Sequence, residues 1–179
     1  MKRLSASSIG DRDPFDRLTF ADSYKRMEVM ADLWFEVQAT RRMEWFKTLG
    51  EVWQVCDDIS RWKGFLVPTL SEASEQERAA MMEPEERATW VELPEVLTVY
   101  RGCYLFNRQG LSWSLSRDVA ARFPTLNRYR VEGHQPLLLT GRVKKARAVL
   151  KLGRNEQEII APRVVIVARE ALQIPATAG

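Results

Sequence analysis

The chain has 179 residues, 45% of them hydrophobic, with 27 basic and 24 acidic side chains and a net charge of +3. That length and apolar content suit one domain of ordinary size, with or without an added helical segment. The charge excess is too mild to argue for nucleic acid by itself and suits an anionic small ligand or an acidic partner equally well.

Two cysteines, Cys56 and Cys103, and one histidine, His134, form no cluster with metal-ligand spacing, so no metal site is expected. Two scattered thiols point to a reducing compartment. The opening residues carry no apolar signal-peptide core, and no apolar run reaches the roughly 18–20 residues needed to span a bilayer. A soluble, cytoplasmic protein with no membrane partner is expected.

Residues 1–18 are polar, with Gly10 and Pro14, and are expected to be poorly ordered. From Thr19 the spacing of Phe20, Tyr24, Met27, Ala31 and Trp34 predicts a helix. Met43, Phe46, Val52, Cys56 and Ile59 predict a second, with Gly50 as a weak point inside it. The run Gly64 to Pro68 reads as a break. Residues 71–82 read as another helix, with Ser71 and Ser74 as cap candidates and Glu72, Glu75 and Glu77 near its positive end. Pro84 starts a short helix and Pro94 closes it.

The second half changes character. Residues 97–100 are β-branched and aromatic and read as a strand. Residues 111–115 read as the next, and Ser116 then caps a helix over 117–123 that Pro124 ends. Further strands are expected at 137–143, 146–152, 156–161 and 164–167, with a turn at Gly153, Arg154 and Asn155. The layout is α+β: a poorly ordered 1–18, a helical segment 19–93, and a compact, mostly antiparallel sheet over 94–175, the last two forming one unit.

Three short segments carry the chemistry. Arg101 follows a strand and precedes Gly102; a guanidinium offers a planar fork of donors to phosphate, and glycine lets a ligand approach the backbone. Ser112 and Ser114 share one strand face, with Trp113 on the other as a core residue. The same alternation puts Glu156 and Glu158 on one face. Taken singly, each segment is ordinary: an exposed edge, a solvated strand face. In this order they read as a site for an anionic dinucleotide. Five of the six tryptophans, Trp34, Trp45, Trp53, Trp62 and Trp90, lie in the helical half and are expected in the core, with a partner-docking face as the alternative. Arg142, Lys144, Lys145 and Arg147 are read as a solvated basic edge.

The segment Leu111-Ser112-Trp113-Ser114-Leu115-Ser116, with Val119, Ala120 and Phe123 beyond it, resembles the strand-to-helix signature of the ADP-ribosyltransferase family of the arginine–serine–glutamate class. Trp113 stands where that family usually has threonine. Glu156-Gln157-Glu158-Ile159-Ile160-Ala161-Pro162 resembles its glutamate strand. The resemblance covers roughly residues 96–167. It implies a split β-sheet of ADP-ribosyltransferase type and NAD as cosubstrate. It gives Arg101 the NAD phosphates, Gly102 the nicotinamide carboxamide through its backbone, and Phe123 the nicotinamide side. It gives Ser112, beside Ser114, the orientation of the ribose and of the catalytic carboxylate. Glu158 would stabilise the positive charge developing at the anomeric carbon, as in glycoside cleavage. Glu156 would position the acceptor, and glutamate there resembles the arginine-modifying members.

Transfer of ADP-ribose from NAD to a protein acceptor, by a toxin or a phage-encoded host-modifying factor, is the function the resemblance implies. A nucleic-acid acceptor stays open. An NAD glycohydrolase, transferring to water, and a catalytically silent binding module are the alternatives.

Overall fold

The computed structural model describes residues 13–153 and 157–173. Helices fill the first half: α1 (Arg26–Val37), α2 (Arg42–Trp53), α3 (Lys63–Glu72), α4 (Glu75–Ala80) and α5 (Pro84–Glu92). The second half carries β1 (Val96–Cys103), β2 (Ser112–Ser114), α6 (Arg117–Arg122), β3 (Leu137–Lys144), β4 (Val149–Lys151), β5 (Glu158–Ile160) and β6 (Val165–Ala171). The strands form one open sheet in the order β4-β5-β2-β1-β3-β6. Every neighbouring pair is antiparallel. The protein is therefore α+β, as the order of helical and β-branched segments predicts.

One buried cluster joins the two halves. Met30, Trp34, Trp45 and Leu49 from the helices belong to it together with Val99, Trp113, Leu139 and Ile159 from the sheet. Trp34 meets Trp45 edge to face at 4.7 Å and Phe46 at 5.9 Å, geometries that favour aromatic rings beyond simple burial. The Trp45 indole donates to the Met30 carbonyl at 2.7 Å, so its buried N–H is satisfied. Trp34, Trp45 and Trp53 are buried, and Trp62 and Trp90 pack against the cluster. The core reading of the tryptophans holds for all five.

Several boundaries differ from those expected. Residues 14–20 are ordered as a 3-10 helix, Pro14–Phe20, capped by the Asp13 carboxylate. The α-helix starts only at Arg26, because Asp22 accepts the Tyr24 and Lys25 N–H groups and holds a turn there. Phe20 and Tyr24, spaced as a helical stripe, are instead 86% and 69% exposed. The second helix stops at Trp53, leaving Cys56 in a loop and Ile59 in a 3-10 turn. Pro68 lies inside α3 rather than ending it. Gly64, whose carbonyl loses its partner, is exposed like Pro68, so water meets the orphaned group. That one helix swallows Ser71, while Ser74 begins the next by a reciprocal capping box with Glu77. Lys145–Arg147 is a 3-10 turn, so β4 is shorter than 146–152. Among the basic edge residues, the Lys145 ammonium is structural: it donates to the Val91 and Leu93 carbonyls at the end of α5.

Gly50 also has a different meaning from a weak point. A Cβ there would collide with the Met81 backbone carbonyl. Glycine thus sets how closely α2 approaches the end of α4. Gly50→Ala is expected to lower stability by about 1–3 kcal/mol through overpacking, although propensity alone favours alanine by about 1 kcal/mol. A denaturant titration showing no loss would mean that the Met81 backbone moves aside at little cost.

Candidate active site

A cleft of about 460 Å³ opens where the sheet meets the segment after α2. That size is ordinary for a small-molecule site. Arg101, Gly102, Ser112, Ser114, Phe123 and Glu158 all line it. Six of the seven residues singled out in the sequence therefore come together. The seventh, Glu156, lies outside the described residues, as do Arg154 and Asn155.

Register explains how the β5 carboxylate arrives. Glu158 stands opposite Ser114, and Ser114 opposite Tyr100, so these three side chains share one face of the sheet. Ser112, two residues earlier, shares that face. The shared-face expectation for Glu156 falls outside the described residues. Gln157 has φ of +44°, a left-handed backbone. The regular strand begins at Glu158.

Arg101 reaches the cleft by another route. Alternation along β1 places it on the Trp113 side, opposite Tyr100 and Glu158. Yet β1 and β2 are paired in register only at Tyr100 and Ser114. Beyond that pair the strands diverge, and the guanidinium occupies the gap. It donates to the Ser112 carbonyl at 2.6 Å and to the Asn107 carbonyl at 3.3 Å. Gly110 makes the seat, since a Cβ there would overlap the guanidinium. The Arg101 Nε is buried with no hydrogen-bond partner. Among the described residues no carboxylate lies within ion-pair distance of it. Burial pulls its pKa below the ordinary arginine value, and the Cys103 thiol and Glu158 carboxylate act in the opposite direction. A buried cation without a carboxylate partner beside a cleft favours an anionic ligand.

Around this pair the sequence builds supports. The Ser114 hydroxyl accepts the Ser116 N–H at 3.0 Å, and the Ser116 hydroxyl caps α6 by accepting from Val119 at 3.3 Å. Gly102 leaves room for the Ala120 carbonyl of α6, which a Cβ would strike. The Tyr104 hydroxyl donates to Pro124 at 3.0 Å and accepts from Val131 at 2.9 Å, tying the chain after α6 to the end of β1. Phe123 packs against Tyr129 at 5.7 Å, and both rings border the cleft. The Ser112 hydroxyl has no hydrogen-bond partner among the described residues, which leaves it open to a ligand.

The helical half contributes residues that the sequence motifs do not mark. Trp53, the last residue of α2, donates its indole N–H to Glu158 Oε1 at 3.0 Å. Beyond it Gln54, Cys56, Asp57 and Asp58 form a wall of the cleft. Asp58 adopts a left-handed backbone, φ 55° and ψ 38°, a conformation that costs a non-glycine residue about 1–2 kcal/mol. Asp57 is pinned to Ser23, ahead of α1: Ser23 Oγ donates to its carboxylate at 2.6 Å, and its own N–H donates to the Ser23 carbonyl at 2.9 Å. The only sequence signal for this wall is the Asp57-Asp58 pair, a residue type that tolerates such turns.

Burial pushes the Cys56 thiol up to about 11 and raises Cys103 as well, so both stay protonated at neutral pH. Both are free. No cluster of metal-ligating side chains occurs among the described residues, and no described helix is long and apolar enough to cross a membrane. Comparison with protein-family models, curated proteins and solved structures finds no match to this chain.

Proposed function

We propose that the cleft binds NAD, breaks its nicotinamide–ribose bond and transfers ADP-ribose to a protein acceptor. The observation that carries this reading is the meeting of Arg101, Ser112 and Glu158 at one cleft from three separate strands or strand ends. A buried, unneutralised guanidinium suits the pyrophosphate. The open Ser112 hydroxyl suits a ribose hydroxyl, and the Gly102 backbone and the Phe123 ring suit the nicotinamide. NAD itself supplies the activated bond, whose electron pair leaves with nicotinamide. The Glu158 carboxylate, fixed beside the anomeric carbon, favours the positive charge that grows there more in the transition state than in the ground state. The acceptor then bonds to that carbon and gives up its proton. With Arg101 and Glu158 brought to one cleft, a silent binding module is the weaker reading.

Labelled NAD incubated with a cell lysate tests the proposal, read by a gel for labelled protein and an assay for free nicotinamide. Label on protein together with nicotinamide supports transfer. Nicotinamide alone is the result of a glycohydrolase, and neither product would sink both enzymatic readings.

Arg101 gives a separate test at the binding step. Arg101→Lys keeps the charge but loses the fork of donors. It is expected to weaken NAD binding by about 10- to 100-fold, the worth of a charge-assisted contact. Calorimetry finding equal affinities would remove Arg101 from the binding site.

A further inference from the structure

The geometry points to Trp53 as a positioning residue for the Glu158 carboxylate, set in place by the helical half of the chain. This inference rests on the reading of Glu158 given above. Its starting point is the chemistry of an indole. The ring nitrogen is a donor only, so a buried tryptophan must find an acceptor. Trp53 is 2% exposed, and its acceptor is Glu158 Oε1 at 3.0 Å. Among the described residues no other hydrogen-bond donor reaches that carboxylate.

Trp53 itself cannot drift. Its ring belongs to the buried cluster. Its helix is held against α4 by the Gly50 contact. The next residue, Gln54, lies against Gly153, where a Cβ would overlap its side-chain amide. The donor is therefore rigid, whereas a glutamate side chain on a short strand has rotamers to choose from. A fixed donor selects the rotamer that faces the cleft, where the carboxylate stands beside the developing positive charge. An apolar ring of the same size at this place would bury the same area without holding that rotamer.

The test removes the N–H and keeps the ring. In one variant the Trp53 indole is replaced by its benzothiophene isostere, introduced as a non-natural amino acid; a second is Trp53→Phe. In both, kcat for nicotinamide release is expected to fall about 10- to 100-fold while KM for NAD stays within about twofold. The melting temperature of the isostere should match the wild type. In a Glu158→Gln background the isostere should produce no further loss, because its effect passes through the carboxylate. An isostere with wild-type kcat overturns the assignment, even if Trp53→Phe is inactive, since only packing would then matter. Equal further loss in the Glu158→Gln background overturns it too. A wild-type protein that releases no nicotinamide overturns the NAD reading itself, and the positioning role with it.

Discussion

Glu158→Gln is expected to lower nicotinamide release from NAD by about 100-fold or more, with the melting temperature unchanged. The substitution is close to isosteric. A glutamine carbonyl still accepts the Trp53 N–H that Glu158 accepts at 3.0 Å. The register with Ser114 and Lys151 is a backbone property and survives. What disappears is the negative charge facing the cleft. Parallel measurements of nicotinamide release and thermal unfolding separate the two effects. Activity within about threefold of wild type would mean that the charge plays no part, and the proposed mechanism would fall.

The largest stability effect is expected elsewhere. Glu86 and Lys151 form a buried ion pair at 2.7 Å, with side chains 6% and 3% exposed. Both partners make further hydrogen bonds. Glu86 also accepts the Glu83 N–H at 2.8 Å and the Leu152 N–H at 2.9 Å, and Lys151 also donates to the Met81 carbonyl at 3.0 Å. One carboxylate thus caps α5, holds the chain after β4 and neutralises a lysine. Glu86→Ala leaves the ammonium buried without its charge partner and is expected to cost about 3–5 kcal/mol. Adding Lys151→Met to that variant should restore part of the loss, because the stranded charge goes with it. Urea unfolding of the single and double variants measures this. A single variant within about 1 kcal/mol of wild type would show that water reaches the pair.

Some of this was legible in the residues themselves. The strands of the second half announce themselves through β-branched runs bounded by turn formers, and Ser116 and Pro84 begin helices where local chemistry says they should. Arg101, Gly102, Ser112, Ser114, Phe123 and Glu158 were legible as neighbours in one cleft because a motif, unlike a lone residue, specifies direction as well as type. What was not legible depends on distant partners. Nothing near Gly50 announces the Met81 backbone, and nothing near Trp53 announces a carboxylate 105 positions away. Pro68 reads as a breaker because local rules cannot know that its face of α3 is exposed. Nothing in the residues around Gln157 announces its left-handed backbone. Arg101 reaches the same cleft as Ser112 and Glu158, as order along the chain suggests, though its path through the diverging strands runs against simple face alternation.

The span between Trp53 and Glu158 also bears on how the protein is made. The two residues are 105 positions apart. At ribosomal speeds of about 5–20 residues per second, roughly 5–20 seconds separate the synthesis of one from the other. During that interval α1 and α2 can form from local contacts, but the cleft lacks one of its walls. Closing so long a loop must wait for β5, whose pairing with β2 and β4 is itself non-local. A nascent chain therefore carries no assembled cleft, and the site comes into being only when the sheet is closed.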